Sequence, residues 1–182
     1  MKLHDYVRIY YPQYYSIEHY PVDQTARVCK VAEEWGIFSN FAPTSITYDG
    51  IHFDCAERLF HYLKFRSEAS DGKAELLASP AGQAMKMHMK HIQKAHPEWL
   101  RDDLGRVFID SMKQCLLLKY DQSSEFRDAL IRSRGLYIVE DQTSFPTKEA
   151  NTWGVKRVGN EYVGPNLLGR LLMELRDNPP TH

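Results

Sequence analysis

Residues 45–65, SITYDGIHFDCAERLFHYLKF, hold both kinds of element that decide the fold class of this chain. Two short runs, Ser45-Ile46-Thr47-Tyr48 and Ile51-His52-Phe53, flank the pair Asp49-Gly50. Asp-Gly readily supplies the positive φ angles of a two-residue turn, so a β-hairpin is expected here. From Cys55 to about Arg66 the pattern changes to the helical period, with apolar residues recurring every three or four positions.

Working outward, residues 28–31 read as a short strand. Helices are expected at about 71–78, 80–94, 102–119 and 122–132, and residues 136–140 read as a buried strand. Residues 141–163 are rich in turn and polar types and are expected to form a long loop. A last helix opens near Asn166 and runs to about Arg176, where Asp177-Asn178-Pro179-Pro180 stops it. Few strands and many helices give an α+β fold, expected as a single mostly helical domain with a small β-sheet. Residues 1–27 read as a tyrosine-rich arm and 28–178 as the domain proper. The arm carries Tyr6, Tyr10, Tyr11, Tyr14, Tyr15 and Tyr20 out of eleven tyrosines in all. Its expected role is to fold back on the domain or a partner subunit.

The chain has 182 residues, 43% hydrophobic and 26% charged, with a net charge of −1. That is ordinary for one globular domain and excludes a polycation that binds nucleic acid by bulk charge. A short single-stranded nucleic acid remains compatible. The three cysteines, Cys29, Cys55 and Cys115, form no CxxC pair. This argues against both a disulfide framework and a thiolate zinc site. The first twenty residues lack the apolar core of a secretory leader, and no run of eighteen apolar residues occurs. A cytoplasmic protein without a membrane span is the expectation.

Three groups of residues are candidates for chemistry. Glu57, His61 and Lys64 stand at i, i+4 and i+7, on one face of the expected helix. By spacing alone, such a stripe is most often a solvated face. Residues 86–94, KMHMKHIQK, bring three lysines and two histidines together with no acid. They are either a basic face or, through Lys86 and Lys90, a phosphate site. His88 and His91 lack a third ligand at motif spacing, so no metal is expected. In the last helix Asn166 is a candidate N-cap, and the helix start offers amides to a phosphate. Gly169 one turn in permits a close approach.

In order along the chain, these segments resemble the NADAR family of YbiA-like N-glycosidases. Glu34-Trp35-Gly36-Ile37-Phe38-Ser39-Asn40-Phe41 looks like the family's opening Trp-Gly…Ser-Asn-Phe segment. Residues 57–65 resemble its Glu-to-Lys-Phe helix, and Ser79-Pro80 with the basic helix resembles the next element. Residues 112–120 resemble its Met…Leu…Lys helix, followed by Ile138-Val139-Glu140, Trp153-Gly154 and a closing run from Gly164 to Arg176. The resemblance covers about residues 28–176.

It implies a metal-independent hydrolase that cuts the bond between C1′ of a phosphorylated ribose and a nitrogen, with no cofactor. The implied substrate is either ADP-ribose on guanine in nucleic acid or the ribosylaminopyrimidines of riboflavin synthesis. Residues 33–36, 153–156 and 169–176 look more like the first branch. It further implies Glu57, His61 and Lys64 as catalytic residues. Glu57 would meet the cationic transition state, His61 would protonate the leaving base, and Lys64 would bind phosphate or attack as an amine; Lys86 and Lys90 are also amine candidates. Asn40, Phe41, Trp99, Trp153, Gly154, Asn166, Gly169, Arg170, Lys86 and Lys90 are the implied substrate-binding residues.

Three departures from the pattern bear on the exact substrate and on activity, and two of them, at Ala150 and Trp99, favour a second reading, a module that binds ADP-ribose without cutting it. His61 stands where the riboflavin-type members usually carry Gln. Ala150 stands where they carry Asp, and Trp99 lies further from its helix than the family's tryptophan. A third reading is a partner-docking protein with the tyrosine-rich arm as its adhesive.

Overall fold

The computed structural model describes residues 3–180. In chain order the elements are α1 (Leu3–Tyr10), β1 (Glu18–Pro21), β2 (Thr25–Val28), β3 (Ile46–Tyr48), β4 (Ile51–Phe53), α2 (Ala56–Tyr62), α3 (Ser70–Ala78), α4 (Gln83–Ala95), α5 (Leu104–Gln122), α6 (Ser124–Arg132), β5 (Tyr137–Glu140), β6 (Lys156–Val158), β7 (Glu161–Gly164) and α7 (Leu167–Asp177). The fold is α+β, as the sequence pattern predicts. The described chain forms two compact units, one of Pro43–Ser123 and one of residues 3–42 with 124–180. Among the described residues no helix is long and apolar enough to cross a membrane.

In the first unit, β3 and β4 pair antiparallel with Ile46 opposite Phe53 and Tyr48 opposite Ile51. Asp49 and Gly50 both take positive φ, 51° and 73°, which is what a two-residue hairpin turn of matching twist requires. Gln122 at the end of α5 pairs with the backbone of β3: the Thr47 amide donates to its Oε1 at 2.7 Å and its Nε2 donates to the Thr47 carbonyl at 2.9 Å. The core of this unit includes Phe53, Leu59, Leu76, Met89 and Ile109, all essentially without exposure.

Arg58 ties α2 to α3 from a buried position. Its Nε donates to Asp54 at 2.7 Å and its Nη1 to the carbonyls of Leu76 and Ser79 at 2.8 and 3.0 Å. After α2 the chain pairs with the segment that follows α4. The Arg66 amide donates to the Trp99 carbonyl and the Arg101 amide to the Lys64 carbonyl, at 2.9 and 3.0 Å. These bonds fix the backbone from which Lys64 projects.

In the second unit, β1, β7 and β6 form an antiparallel sheet in that order, and β2 runs parallel to β5. The expected strand at 28–31 sits three residues earlier, because Ala26 and Val28 are the positions that turn inward. The expected loop at 141–163 contains β6 and half of a hairpin with β7. Its turn is Gly159-Asn160, with Gly159 at φ 61°. The strands escaped notice because β6 is half-buried or exposed throughout and lacks apolar alternation. The arm also carries more structure than its composition suggested. It supplies α1 and β1, and Tyr11, Tyr14 and Tyr20 are buried.

Candidate active site

Helix α2 carries Glu57 and His61, and Lys64 follows one residue beyond its cap, Leu63. The spacing argument therefore holds one step past the helix end. Burial reverses the expectation of a solvated stripe: Glu57, His61 and Lys64 are only 8%, 6% and 8% exposed. The covering groups come from the same unit. Lys64 Nζ lies 4.4 Å from the Phe60 ring centroid and 5.7 Å from that of Phe108 on α5.

The three side chains form a row with the imidazole in the middle. Lys64 Nζ is 2.9 Å from His61 Nδ1. An ammonium has only donors, so Nδ1 accepts and the ring proton belongs on Nε2. That Nε2 is buried 3.3 Å from Glu57 Oε1. The distance is that of an ion pair, but the alignment is not that of a hydrogen bond.

The electrostatics follow from burial and from the neighbours. Burial pushes the Glu57 carboxyl up, but His61, Lys64 and Lys86 together outweigh it and hold it below its ordinary value. Burial and the adjacent Lys64 hold His61 below its ordinary value, against the pull of Glu57. Burial brings Lys64 down to about 8, with Glu57 opposing and Lys86 assisting. The row at neutral pH is thus a carboxylate, a neutral imidazole, and a lysine close to releasing its proton. Shifts like those of His61 and Lys64 toward their neutral forms, beside a buried carboxylate held ionised, are a mark of catalytic sites.

The other candidates fall in several places. Lys86 on α4 is half-buried and its charge reaches Glu57, His61 and Lys64; Lys90, one turn on, is exposed. Trp99 is half-buried and stacks on His96 with centroids 3.8 Å apart. It also packs on Gly72 of α3, where a Cβ would come 2.7 Å from the indole. Among the described residues, no three His, Cys, Asp or Glu side chains form a group that could hold a metal.

In the second unit, Asn40 is buried and Phe41 half-buried just after the Gly36–Phe38 turn. Asn166 takes the left-handed conformation with φ 51° and makes no cap bond. Its amide serves instead as a strand partner: Nδ2 donates to the Ile138 carbonyl at 2.9 Å, and Oδ1 accepts from the Glu140 amide at 3.2 Å. The first amides of α7 are also engaged. Those of Asn166, Leu167 and Leu168 donate to the carbonyls of Gly154, Thr152 and Trp153 at 3.1 Å each. Gly169 lies against the Ile138 carbonyl, and Gly154 against that of Glu140. Trp153 is half-buried. Arg170 donates to Ser16 Oγ at 3.1 Å and to the Gln13 carbonyl, while Tyr14 donates to Glu174 at 2.7 Å; both hold the arm on α7.

Asn166→Ala is expected to cost about 2–4 kcal/mol, since it strands two buried backbone groups of β5. Asn166→Gly keeps the left-handed backbone and should cost nearly as much. A loss confined to Ala in denaturant unfolding would instead put the cost in the backbone conformation.

The sequence reading missed Cys115 and the two rings around Lys64. Cys115 on α5 lies near enough for its charge state to couple to Glu57 and Lys64, and burial pushes its thiol well above the ordinary range. Phe60 was visible at i−4 from Lys64; Phe108 and Cys115 had no local signal. An open groove of about 570 Å³ in this unit is lined by Tyr48, Tyr62, Arg66, Lys73 and Arg101 among others, but by none of Glu57, His61 and Lys64. Its cations are engaged: Arg66 by Asp102, Arg101 by Asp103 at 2.9 Å, and Lys73 by the Ser67 carbonyl at 2.9 Å.

Known proteins share this arrangement of segments. Over 161 residues the chain is 29% identical to N-glycosidase YbiA of Escherichia coli K12, covering 88% of this chain and 92% of that protein. It is 28% identical over 156 residues to the chloroplastic riboflavin biosynthesis protein PYRR of Zea mays, covering 81% of this chain and 24% of that one. An N-glycosidase of Nostoc punctiforme is 25% identical over 148 residues. The NMR structure of the E. coli YbiA protein superposes with a TM-score of 0.61 at 27% identity, covering 85% of this chain and 84% of that one. The family model of the NADAR domain matches residues 13–178, from the arm that supplies β1 through the end of α7 and so across both units. With fold, segment order and family model in agreement over nearly its whole length, the chain belongs to the NADAR domain family.

Proposed function

We propose that this protein is an N-glycosidase that hydrolyses the bond between C1′ of a phosphorylated ribose or ADP-ribose and a nitrogen. The buried row Glu57–His61–Lys64 carries this reading, and the N-glycosidase names of the E. coli and Nostoc relatives support it. Cleaving a ribosyl C–N bond builds positive charge on the sugar. A buried carboxylate held ionised is suited to stabilise that charge or to deprotonate an attacking water. A lysine brought down to about 8 is suited to attack C1′ of the opened sugar as a free amine, giving an imine that water then hydrolyses. Lys86 and the exposed Lys90 supply positive charge for a phosphate.

Removal of ADP-ribose from guanine in nucleic acid is the first substrate. It is supported by the likeness of residues 33–36, 153–156 and 169–176 to that branch, and by His61 in place of glutamine. Ribosylaminopyrimidine hydrolysis is the second, favoured by the similarity to the maize riboflavin protein.

The test is to incubate the protein, with EDTA present, with ADP-ribosylated guanine in a DNA oligonucleotide and separately with the pyrimidine ribosyl phosphates, and to follow products by mass spectrometry. Free ADP-ribose or ribose phosphate is expected. The rate should rise with pH through about 8 as Lys64 loses its proton, and borohydride should trap a sugar adduct on Lys64. No product from either substrate, with ADP-ribose still bound, would leave the non-catalytic binding module.

A further inference from the structure

Nε2 of His61 is the one ring nitrogen of the row left open. The side chain is only 6% exposed, and no protein group completes a hydrogen bond to this atom. The other nitrogen, Nδ1, accepts from Lys64 at 2.9 Å, so the open nitrogen is the one that carries hydrogen. An uncharged amine still has protons to donate, so the tautomer persists when Lys64 loses its charge. The Glu57 carboxylate, 3.3 Å from Nε2 but out of line for a hydrogen bond, also favours a proton there. Buried N–H groups nearly always find an acceptor, because one left open has given up its water and gained nothing in return. We propose, resting on the N-glycosidase reading above, that His61 Nε2–H donates to the 2′-hydroxyl oxygen of the ribose being cut and makes the site selective for ribose over 2′-deoxyribose.

The choice of acceptor follows from what stands beside the nitrogen. The group that meets Nε2–H must also face the negative Glu57 Oε1. A base carbonyl, an unprotonated base nitrogen and the ribose ring oxygen are acceptors only, and their lone pairs would point at a carboxylate. A hydroxyl accepts through its oxygen and turns its own proton to the carboxylate. Next to C1′, where Glu57 is placed by its proposed role, the C2′ carbon carries such a hydroxyl. The ring oxygen is disfavoured on a second ground: it must release electron density as positive charge builds on C1′, and a donor there opposes it. Hydrogen bonds to the 2-hydroxyl strengthen in the transition state of glycoside cleavage, so the contact serves rate as well as affinity. Both proposed substrates carry this hydroxyl.

This contact replaces the role of acid to the leaving base that the resemblance implied for His61. Burial and Lys64 hold the ring neutral, and its single proton faces the sugar. The contact transfers no proton: Glu57 stays ionised, its other oxygen left for C1′ or for water, and Lys64 titrates as before.

Calorimetry at neutral pH reads the contact without turnover, using two pairs of probes. One pair is ADP-ribose and its analogue lacking the 2′-hydroxyl of the terminal ribose; the other is ribose 5-phosphate and 2-deoxyribose 5-phosphate. In at least one pair the ribose ligand is expected to bind about 30-fold tighter than its deoxy partner, as for one buried hydrogen bond assisted by a charge. In His61→Leu that ratio should collapse to within about threefold, since no donor remains. In His61→Gln most of it should survive, because the side-chain carbonyl can accept from Lys64 while the NH2 donates to the sugar. A variant that only loosened the fold would weaken both ligands of a pair alike and leave the ratio unchanged. Nitrogen NMR of the ligand-free protein should show the Nε2–H tautomer, and the Nε2 proton should move downfield when the tighter ribose ligand is added. Equal affinities within both pairs, the result expected if a water alone fills the gap, overturn the contact. So do no affinity for any of the four probes, the Nδ1–H tautomer, an unmoved Nε2 proton, or a ratio that survives in His61→Leu. Absence of turnover on either proposed substrate, with the ribose preference intact, overturns the N-glycosidase reading instead and leaves the contact standing.

Discussion

Glu57→Gln is expected to lower kcat by about 1,000-fold, about 4 kcal/mol of transition-state stabilisation, while leaving substrate affinity within a few-fold. The amide matches the carboxylate in shape and keeps an oxygen toward His61, so the packing around the row should hold its form. What it lacks is the negative charge that meets a cationic sugar. A ligand that carries no such charge in its ground state does not report that loss, which is why binding and turnover should separate. Calorimetry with ADP-ribose and steady-state kinetics on the preferred substrate measure the two sides. Retention of more than a tenth of the turnover would exclude Glu57 from the chemistry.

The same substitution has a pH signature. The folded-state pKa of Glu57 lies below its ordinary value of 4.5, so its ionised form contributes stability that is fully present above about 4.5. That contribution is lost as the pH falls through the lower, folded value. Glu57→Gln should therefore flatten the acid limb of the stability curve. Lys64, no longer drawn upward by its counter-charge, should titrate lower still.

The second large effect is on stability. Gly169→Ala normally favours a helix by about 1 kcal/mol, because alanine loses less chain entropy than glycine. Here the expected sign is reversed. A Cβ at Gly169 would overlap the Ile138 carbonyl of β5 and press on the Asn166 amide that bonds the same strand. Both obstacles are held in place, one being strand backbone and the other a side chain bonded to it, so α7 must withdraw from β5. A cost of about 3 kcal/mol is expected, at the upper end for overpacking. That corresponds to a fall in Tm of about 10 °C for a chain of this size. Thermal unfolding by circular dichroism measures it, and a raised Tm would show that the helix does not need this close approach.

Much of the chain was legible because it rests on local rules. Asp49-Gly50 specifies a hairpin turn through the φ angles these two residues tolerate. The apolar periodicity of α2 to α7 marks helices to within a few residues, and the i, i+4 spacing of Glu57 and His61 guarantees that they share a face. The ordered motifs identified the family, since they record its chemistry in residue types rather than in contacts.

Other features depend on groups far apart in sequence. The parallel pairing of β2 with β5 joins Ala26 to Ile138, and no local pattern fixes a register across so long a connection. Asn166 reads as a helix cap and is a strand partner instead, because its neighbour across space is β5. A polar stripe on a helix reads as solvated until something covers it. Phe108 and Cys115 from α5, with Lys86 from α4, surround the row and change it from three ordinary ions into a coupled acid, ring and amine. The sequence by itself determined which residues would stand in line. Only the tertiary structure removed the water, and with it the dielectric that would have kept each of them at its ordinary pKa.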